Sequence, residues 1–303
     1  MAASSNSDSG NQDIRSIEDL IVRARSCGYV MDRSLATVVY LLVKLGKPLL
    51  IEGHAGVGKT EAAKVLAAIL GTELIRLQCY EGLDVNSAVY EWNYQKQILA
   101  IKMREGTDRN VQDLEAHIFG PDFLLRRPLL KSISSKEASP VLLVDEIDRA
   151  DEAFEAFLLE VTGEFQISIP ELGTIKAEKR PHVILTSNGA RELSDALKRR
   201  CLYHWIDYPT FEKEMDIVHT RLPGIGLELG AQVVHFLHSL RKMNLTKIPG
   251  VAETLDLSAT LALLEKTNLD SETADQTIGC VIKSADDLVK VRETGIDNLL
   301  AHR

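Results

Sequence analysis

A glycine-rich segment in the first quarter of the chain carries the most specific chemical signal. Its residues are Gly53, His54, Ala55, Gly56, Val57, Gly58, Lys59 and Thr60. They fit the pattern GxxxxGK followed by Ser or Thr, in which glycines let backbone N–H groups close around phosphates and the lysine supplies a mobile cation. We predict a phosphate-binding loop that continues into Glu61 and uses Thr60 as a Mg²⁺ ligand. The alternative is a glycine-rich turn without a ligand.

Two adjacent carboxylates end an apolar run farther along the chain. Val141–Val144 precede Asp145 and Glu146, and phosphoryl transfer needs one acid near Mg²⁺ and another that polarises water. We therefore predict Asp145 as the metal-side acid and Glu146 as the general base, although an acidic strand end is common by itself. Asn188, at the end of another apolar run, is predicted to orient the attacking water. Alone, such an asparagine is also an ordinary turn residue.

These side chains need a sheet to bring them together. The apolar, β-rich runs are Leu49–Glu52, Leu74–Leu77, Val141–Asp145, His182–Ser187 and Tyr203–Asp207. Each is separated from the next by enough chain for a crossover helix, which predicts an α/β fold with a parallel five-stranded sheet. The carboxyl ends of parallel strands share one edge, so the loop, the two acids and Asn188 should meet there.

The remaining pattern predicts how the chain is divided. Residues 165–177 alternate like a hairpin inside the α/β succession. Beyond Pro209 the candidate helices are Phe211–Arg221, Gly230–Met243, Leu257–Thr267 and Ser284–Ala301. We expect a disordered tail at 1–12, an α/β core at 13–209 and an all-α lid at 210–303.

Composition limits the function classes. The 303 residues are 45% apolar and 26% charged, which suffices for a sizeable core, and the net charge is −9. An acidic balance gives no global attraction to nucleic acid or to anionic membranes. Neither a membrane span nor a signal peptide is visible, so we expect a cytoplasmic protein. The four cysteines form no CxxC pair, which disfavours a zinc knuckle or a disulfide scaffold.

Together, these motifs and the helical lid resemble an AAA+ ATPase over about residues 25–265. The segment Asp145–Ala150 resembles the DEINRA signature of the MoxR family, and the hairpin lies where its clade has a pre-sensor insertion. Further segments resemble the CoxD-like branch of that family. These are Glu52–Glu61, Gln78–Asp84, Tyr90–Tyr94 and Pro249–Asp256.

The resemblance implies ATP and Mg²⁺ as cofactors and a homo-oligomeric ring, since similar AAA+ proteins are commonly hexamers. It implies an arginine finger that reaches the neighbouring subunit's nucleotide, with Arg200 as the choice and Arg199 as the fallback. Arg149 is a second candidate interface cation, or else a helix-start residue paired with Asp148 or Asp151. Around Asp256–Thr260 the lid lacks the usual sensor-2 arginine.

The resemblance also bears on the base site, the pore and the client. Tyr29 and Val30 are candidates to hold the adenine, with an ordinary core tyrosine as the alternative for Tyr29. The insertion at about 83–105 would face the ring's pore with Tyr90, Trp92 and Tyr94, which either grip a client or pack on the core. Spacing of these aromatics at every second residue favours a short β-loop. CoxD-like proteins are implicated in maturing the metal centre of carbon monoxide dehydrogenase-like molybdenum hydroxylases.

The sequence therefore favours a ring chaperone for a client metalloenzyme, with a von Willebrand A domain protein as a further partner. The competing interpretations are a nucleic-acid-associated AAA+ motor or restriction-type NTPase, and a nucleotide-gated scaffold with negligible turnover. The acidic composition argues against specific nucleic-acid binding, and the presence of Lys59, Asp145 and Glu146 argues against the scaffold.

Overall fold

A computed structural model describes residues 13–104 and 117–301 of the chain, so the predicted tail at 1–12 lies outside the described residues. The strands are β1 Leu49–Gly53, β2 Leu74–Gln78, β3 Tyr90–Trp92, β4 Leu124–Arg126, β5 Val141–Asp145, β6 Gln166–Ile169, β7 Gly173–Lys176, β8 His182–Ser187 and β9 Leu202–Ile206. The helices up to the last strand are α1 Ile17–Ser26, α2 Arg33–Leu45, α3 Lys59–Leu70, α4 Val85–Val89, α5 Tyr94–Arg104, α6 Pro128–Ile133, α7 Glu152–Glu164 and α8 Asp195–Arg200. The helices beyond it, which we call the C-terminal helices, are α9 Phe211–Arg221, α10 Leu227–Arg241, α11 Val251–Leu263, α12 Ser271–Thr277, α13 Ala285–Thr294 and α14 Ile296–Ala301.

A parallel five-stranded sheet, in the order β2-β5-β8-β1-β9, forms the centre of the α/β part. The prediction of this sheet is confirmed. All residues of β5 are buried, because successive side chains alternate between two apolar cores, one on each face of the sheet. Gln78 pairs with Asp145, and Glu52 pairs with Ser187. The carboxyl ends of these strands therefore lie along one edge, where the phosphate-binding loop leaves β1.

The C-terminal helices pack around an apolar core of their own, built from residues between Phe211 and Leu300. Helix α11 begins at Val251, six residues before the predicted Leu257, because the carboxylate of Glu253 accepts a hydrogen bond from Gly250 N–H at 2.8 Å and caps the first turn. The single helix predicted over 284–301 is broken at Gly295, whose φ of +84° is left-handed. The sequence pattern does not predict helix α12.

The antiparallel hairpin of β6 and β7 occupies the region around 165–177. Helix α7 leads into it, with the Asp151 side chain capping its start and Phe165 at φ +51° ending it. Within residues 13–104 and 117–301, none of the helices combines the length and the apolar character that a membrane-spanning segment needs.

The aromatic segment differs from the predicted β-loop. Tyr90 and Trp92 lie on β3, which pairs with β4, but Tyr94 is the first residue of α5. The strand ends there because the Asn93 side chain accepts a hydrogen bond from Lys96 N–H at 3.0 Å and starts the helix. Trp92 is only 7% exposed and packs edge-on against Phe119, whereas Tyr94 is 62% exposed. Trp92 is therefore a packing residue, and residue 105 of the predicted insertion is outside the described part.

Candidate functional site

A cavity of about 390 Å³ opens at the carboxyl edge of the sheet. Its walls come from the phosphate-binding loop, the segment before α2, the ends of β5 and β8, and the C-terminal helices α9 and α11. Of the residues singled out from the sequence, it is lined by Tyr29, Val30, Ala55, Gly56, Val57, Gly58, Lys59, Thr60, Glu61, Asp145, Glu146 and Asn188. Residues far apart in the chain thus line one cavity.

Glycines shape the loop in two ways. Gly53 has φ +154°, and a Cβ there would lie 2.1 Å from the Ile206 carbonyl oxygen, so the backbones of β1 and β9 approach too closely for any side chain. Gly56 and Gly58 have φ of +74° and +94°, which side-chain-bearing residues rarely adopt. The backbone of the loop can therefore turn sharply at these two glycines, and helix α3 starts directly after them, at Lys59.

The Lys59 ammonium is folded back onto its own loop. It donates hydrogen bonds to the carbonyl oxygens of Gly53 at 2.8 Å and of His54 at 2.6 Å, and the residue is only 7% exposed. Burial lowers the pKa of Lys59, and the nearby carboxylates of Asp148, Asp145 and Glu146 act in the opposite direction. A cation held over a loop in this way is placed to bind a phosphate group.

Asp145 connects the loop with the sheet. Its carboxylate accepts hydrogen bonds from the Thr60 hydroxyl at 3.0 Å and 3.3 Å and from the Thr186 hydroxyl of β8. Arg76 of β2 donates two more, from Nε at 3.0 Å and Nη2 at 2.6 Å. Asp145 is 3% exposed, so these donors offset the cost of burying its charge.

The carboxylate of Glu146 lies beside Asn188. The Asn188 side-chain amide donates to Glu146 Oε1 at 3.3 Å, and Arg149 Nε lies 2.7 Å from Oε2. Glu146 adopts φ +55°, and its N–H donates to the Thr186 hydroxyl at 3.0 Å. Left-handed backbone at a glutamate stores strain, as at many functional sites. Arg149 contacts this glutamate rather than Asp148 or Asp151, the two partners considered from the sequence.

Asp148 fixes the turn that carries Asn188. Its Oδ2 accepts hydrogen bonds from Asn188 N–H at 3.2 Å and from Ala190 N–H at 2.8 Å. Its Oδ1 is buried and has no hydrogen-bond partner among the described residues. The Asp148 carboxylate therefore holds the backbone of Asn188 in place and so helps to set the distance between Asn188 and Glu146.

At the other end of the cavity, the Tyr29 hydroxyl donates to the Gly58 carbonyl at 3.3 Å. Burial is the main cause that raises the pKa of Tyr29, so it stays a neutral donor. Val30 and Ile217 form an apolar part of the cavity wall, and such a surface can pack against the face of a purine base. His54, in contrast, stacks on Tyr208 with ring centroids 4.5 Å apart and does not line the cavity.

Helix α11 contacts the phosphate-binding loop directly. Ala252 N–H donates to the Gly56 carbonyl at 3.2 Å, and a Cβ on Gly250 would lie 2.8 Å from the Ala55 carbonyl oxygen. Arg241, buried with Glu214, donates to the Pro249 carbonyl at 2.8 Å and holds this turn. The contact from helix α11 to the loop is thus made by backbone, on the helix where the sequence lacks the usual arginine. A side-chain contact comes from α9, where Arg221 Nη1 lies 3.4 Å from Glu61 Oε1.

Arg199 and Arg200 do not line the cavity. Both are exposed at the end of α8, and Arg200 Nη1 donates to the Leu159 carbonyl of α7 at 2.5 Å. Neither is therefore placed to act on a ligand bound in the same chain. Their predicted action on a neighbouring subunit remains a prediction.

Several lining residues were not found from the sequence. They include Gly28, Asp32, Thr186, Lys213, Ile217 and Arg221. Arg76, which contacts Asp145 from outside the cavity wall, was missed as well. The Thr186-Ser187-Asn188 run was a usable signal for Thr186, because strand ends at this edge carry the site. No local pattern marks Lys213 or Arg221, which depend on how the C-terminal helices pack.

The donor set fits a nucleotide phosphate with Mg²⁺. Thr60 and Asp145 offer hard oxygen ligands 3.0 Å apart, the type that Mg²⁺ binds. The glycine-rich loop leaves backbone N–H groups at a helix N-terminus, where anions bind.

Comparison with known proteins agrees with this geometry. The family model described as AAA domain (dynein-related subfamily) matches residues 48–201. A curated relative, an uncharacterised protein of Staphylococcus haemolyticus (strain JCSC1435), is 25% identical over 219 residues, which are 70% of this chain and 75% of the relative.

Solved structures with a similar backbone include RuvB of Thermotoga maritima. A RuvB point mutant has a TM-score of 0.49 at 16% identity, covering 88% of this chain and 72% of that one. A second structure, described as the RuvB Holliday junction branch migration motor, has a TM-score of 0.45 at 16% identity, covering 93% and 78%. Likenesses this distant carry no argument about function. The family match spans the loop, both acids and Asn188, and the chain accordingly belongs to the dynein-related AAA-domain family of AAA+ ATPases.

Proposed function

We propose that this chain is a Mg²⁺-dependent ATPase that acts as a MoxR-type, CoxD-like ring chaperone on a client metalloenzyme. One observation supports the ATPase part above all others. The phosphate-binding lysine, the Thr60–Asp145 pair and the Glu146–Asn188 pair line the same cavity. These are the groups that phosphoryl transfer to water requires.

The side chains divide the work between binding and proton transfer. Lys59 would exchange its two loop carbonyls for phosphate oxygens. Thr60 and Asp145 would hold Mg²⁺, which neutralises phosphate charge when it is bound. Glu146 is half-buried and would take the proton from the attacking water. Asn188 would orient either the Glu146 carboxylate or that water through a hydrogen bond from its side-chain amide. Tyr29 and Val30 would contact the adenine.

The position of the arginines supports assembly into a ring. Arg199 and Arg200 are exposed and away from the cavity of their own chain. An arginine placed so can complete a neighbour's site, where it would stabilise the charge of the transition state. We propose a homo-oligomeric ring, a hexamer as in similar AAA+ proteins, with Arg200 as the finger and Arg199 as the fallback.

The client and the partner rest on sequence resemblance. The segment Asp145–Ala150 resembles the signature of the MoxR family, and Pro249–Asp256 resembles its CoxD-like branch. On that basis the client is a carbon monoxide dehydrogenase-like molybdenum hydroxylase and the partner is a von Willebrand A domain protein. As the compartment we propose the cytoplasm. Of the three aromatic residues singled out in the insertion, Tyr94, at the start of α5, is the most exposed, at 62%, and we propose that it touches the client.

Two experiments test these parts separately. Phosphate release should require both ATP and Mg²⁺, and Lys59→Ala should abolish binding of a fluorescent ATP analogue, because backbone N–H groups alone cannot replace the ammonium. For the chaperone part, the hydroxylase is co-expressed with the parent or with Lys59→Ala, and its metal content is measured. Equal metal content in both cases would refute the client assignment and leave the ATPase intact.

A further inference from the structure

Arg76 contacts the carboxylate that is proposed to hold Mg²⁺, although no motif points to it. It extends from β2, next to β5 in the sheet, and donates two hydrogen bonds to Asp145 Oδ2. Its side chain is 51% exposed, while that of Asp145 is 4% exposed. A solvent-accessible cation thus covers one side of a buried anion.

The hydrogen-bonding capacity of Asp145 is already filled. A carboxylate offers about four lone-pair directions. On Oδ1 the donors are Thr60 and Thr186, and on Oδ2 they are the two nitrogens of Arg76, with Thr60 as a more distant third. A metal ion, or a water bound to one, can therefore reach Asp145 only after one donor leaves.

Arg76 is the donor that can leave at least cost. Thr60 can keep its O–H on Asp145 while its oxygen lone pairs face a metal ion. Thr186 is 1% exposed, and its hydroxyl also accepts the Glu146 N–H at 3.0 Å. Of the three donors, only Arg76 has an exposed side chain, since Thr60 is half-buried and Thr186 is buried. Arg76 also already shares Nη2 with the Gln78 side chain on the same strand. Its charge also repels a divalent cation.

We infer that Arg76 is a placeholder cation that competes with Mg²⁺ for Asp145. In the metal-free state it compensates the buried charge of Asp145, and it leaves Oδ2 when Mg²⁺ enters with the nucleotide. The inference rests on the proposed Mg²⁺ site. It makes Arg76 a positioning residue that sets how strongly metal and nucleotide binding are coupled.

The coupling can be measured without hydrolysis. The dissociation constant of a fluorescent ADP analogue is determined in excess EDTA and in saturating Mg²⁺. The value in EDTA divided by the value in Mg²⁺ reports how strongly the metal ion favours nucleotide binding. Arg76→Gln should raise this ratio roughly tenfold, the factor that corresponds to about 1.4 kcal/mol. That is the low end for a hydrogen bond to a charged group. Arg76→Lys keeps the charge without the forked geometry and should raise the ratio less, about threefold.

Arg292→Gln is the matched control, because Arg292 is 56% exposed and pairs with Asp275 at 3.2 Å on the C-terminal helices. It should leave the ratio unchanged. A ratio that is unchanged or lower in both Arg76 variants would overturn the inference, since a lower ratio means that Arg76 supports the metal. A parent ratio of one would instead overturn the Mg²⁺ site itself. Arg76→Lys keeps the test open should Arg76→Gln fail to fold.

Discussion

Replacing Gly250 by alanine should separate helix α11 from the phosphate-binding loop. The added Cβ would lie 2.8 Å from the Ala55 carbonyl oxygen, 2.9 Å from Gly56 Cα and 3.0 Å from Gly56 C, all shorter than the 3.4 Å at which ordinary contact begins. These atoms are backbone, so no rotamer change relieves them. Overpacking of this kind costs about 1–3 kcal/mol, and the Ala252–Gly56 hydrogen bond of 3.2 Å would be stretched as well.

Because Ala252 and the loop line the same cavity, we expect Gly250→Ala to weaken ATP binding by roughly 5- to 150-fold, the factor equivalent to 1–3 kcal/mol. The matched control is Gly226→Ala. Gly226 likewise precedes the first residue of a C-terminal helix, α10, but a Cβ added there would meet no atom within 4 Å. Titration of a fluorescent ATP analogue measures both variants. Equal affinities for the two would refute a role of this contact in nucleotide binding.

Three further predictions address the ring, the fold and the partner class. Arg200→Ala should bind ATP like the parent but lose most hydrolysis, and mixing it with Glu146→Gln subunits should restore part of the activity; verified mixed rings without recovery would argue against a finger in trans. Burial acts to raise the pKa of Asp32, yet hydrogen bonds from Leu35 N–H and Lys213 hold it at about 2, below its ordinary 3.8. A lowered carboxyl pKa stabilises the fold above pH 3.8, and this contribution is lost as the pH falls towards 2. The melting-temperature difference between the parent and Asp32→Asn should therefore shrink over that range in calorimetry, and a constant difference would contradict it. Finally, the net charge of −9 predicts weak DNA binding in fluorescence anisotropy with ATP-loaded Glu146→Gln protein at physiological salt; a submicromolar dissociation constant would favour the nucleic-acid motor instead.

The sheet and the loop were predictable because their signals are local. Apolar runs of the right length mark the buried strands, and β5 and β8 were predicted with their observed bounds, Val141–Asp145 and His182–Ser187. The spacing of Gly53, Lys59 and Thr60 fixes a loop whose backbone few other sequences can adopt. Since parallel strands share a carboxyl edge, the meeting of this loop with Asp145 followed from the fold class.

What could not be predicted depends on contacts between distant segments. Arg76 looks like an ordinary polar residue on an edge strand, and only the register of β2 beside β5 brings it to Asp145. The early start of α11 depends on Glu253 capping Gly250, which apolar periodicity does not record. Likewise, the alternation of Tyr90, Trp92 and Tyr94 suggested one strand, but the Asn93 cap starts a helix inside it.

Turnover by Glu146→Gln tests the central claim most directly. The amide retains the shape of the side chain and its contact with Asn188 but cannot take a proton from water, so the variant should bind ATP with parent affinity and release almost no phosphate. Glu152→Gln, an exposed glutamate in the first turn of α7, is the control and should hydrolyse ATP at the parent rate. Hydrolysis by Glu146→Gln at the parent rate would contradict the assignment of Glu146 as the general base.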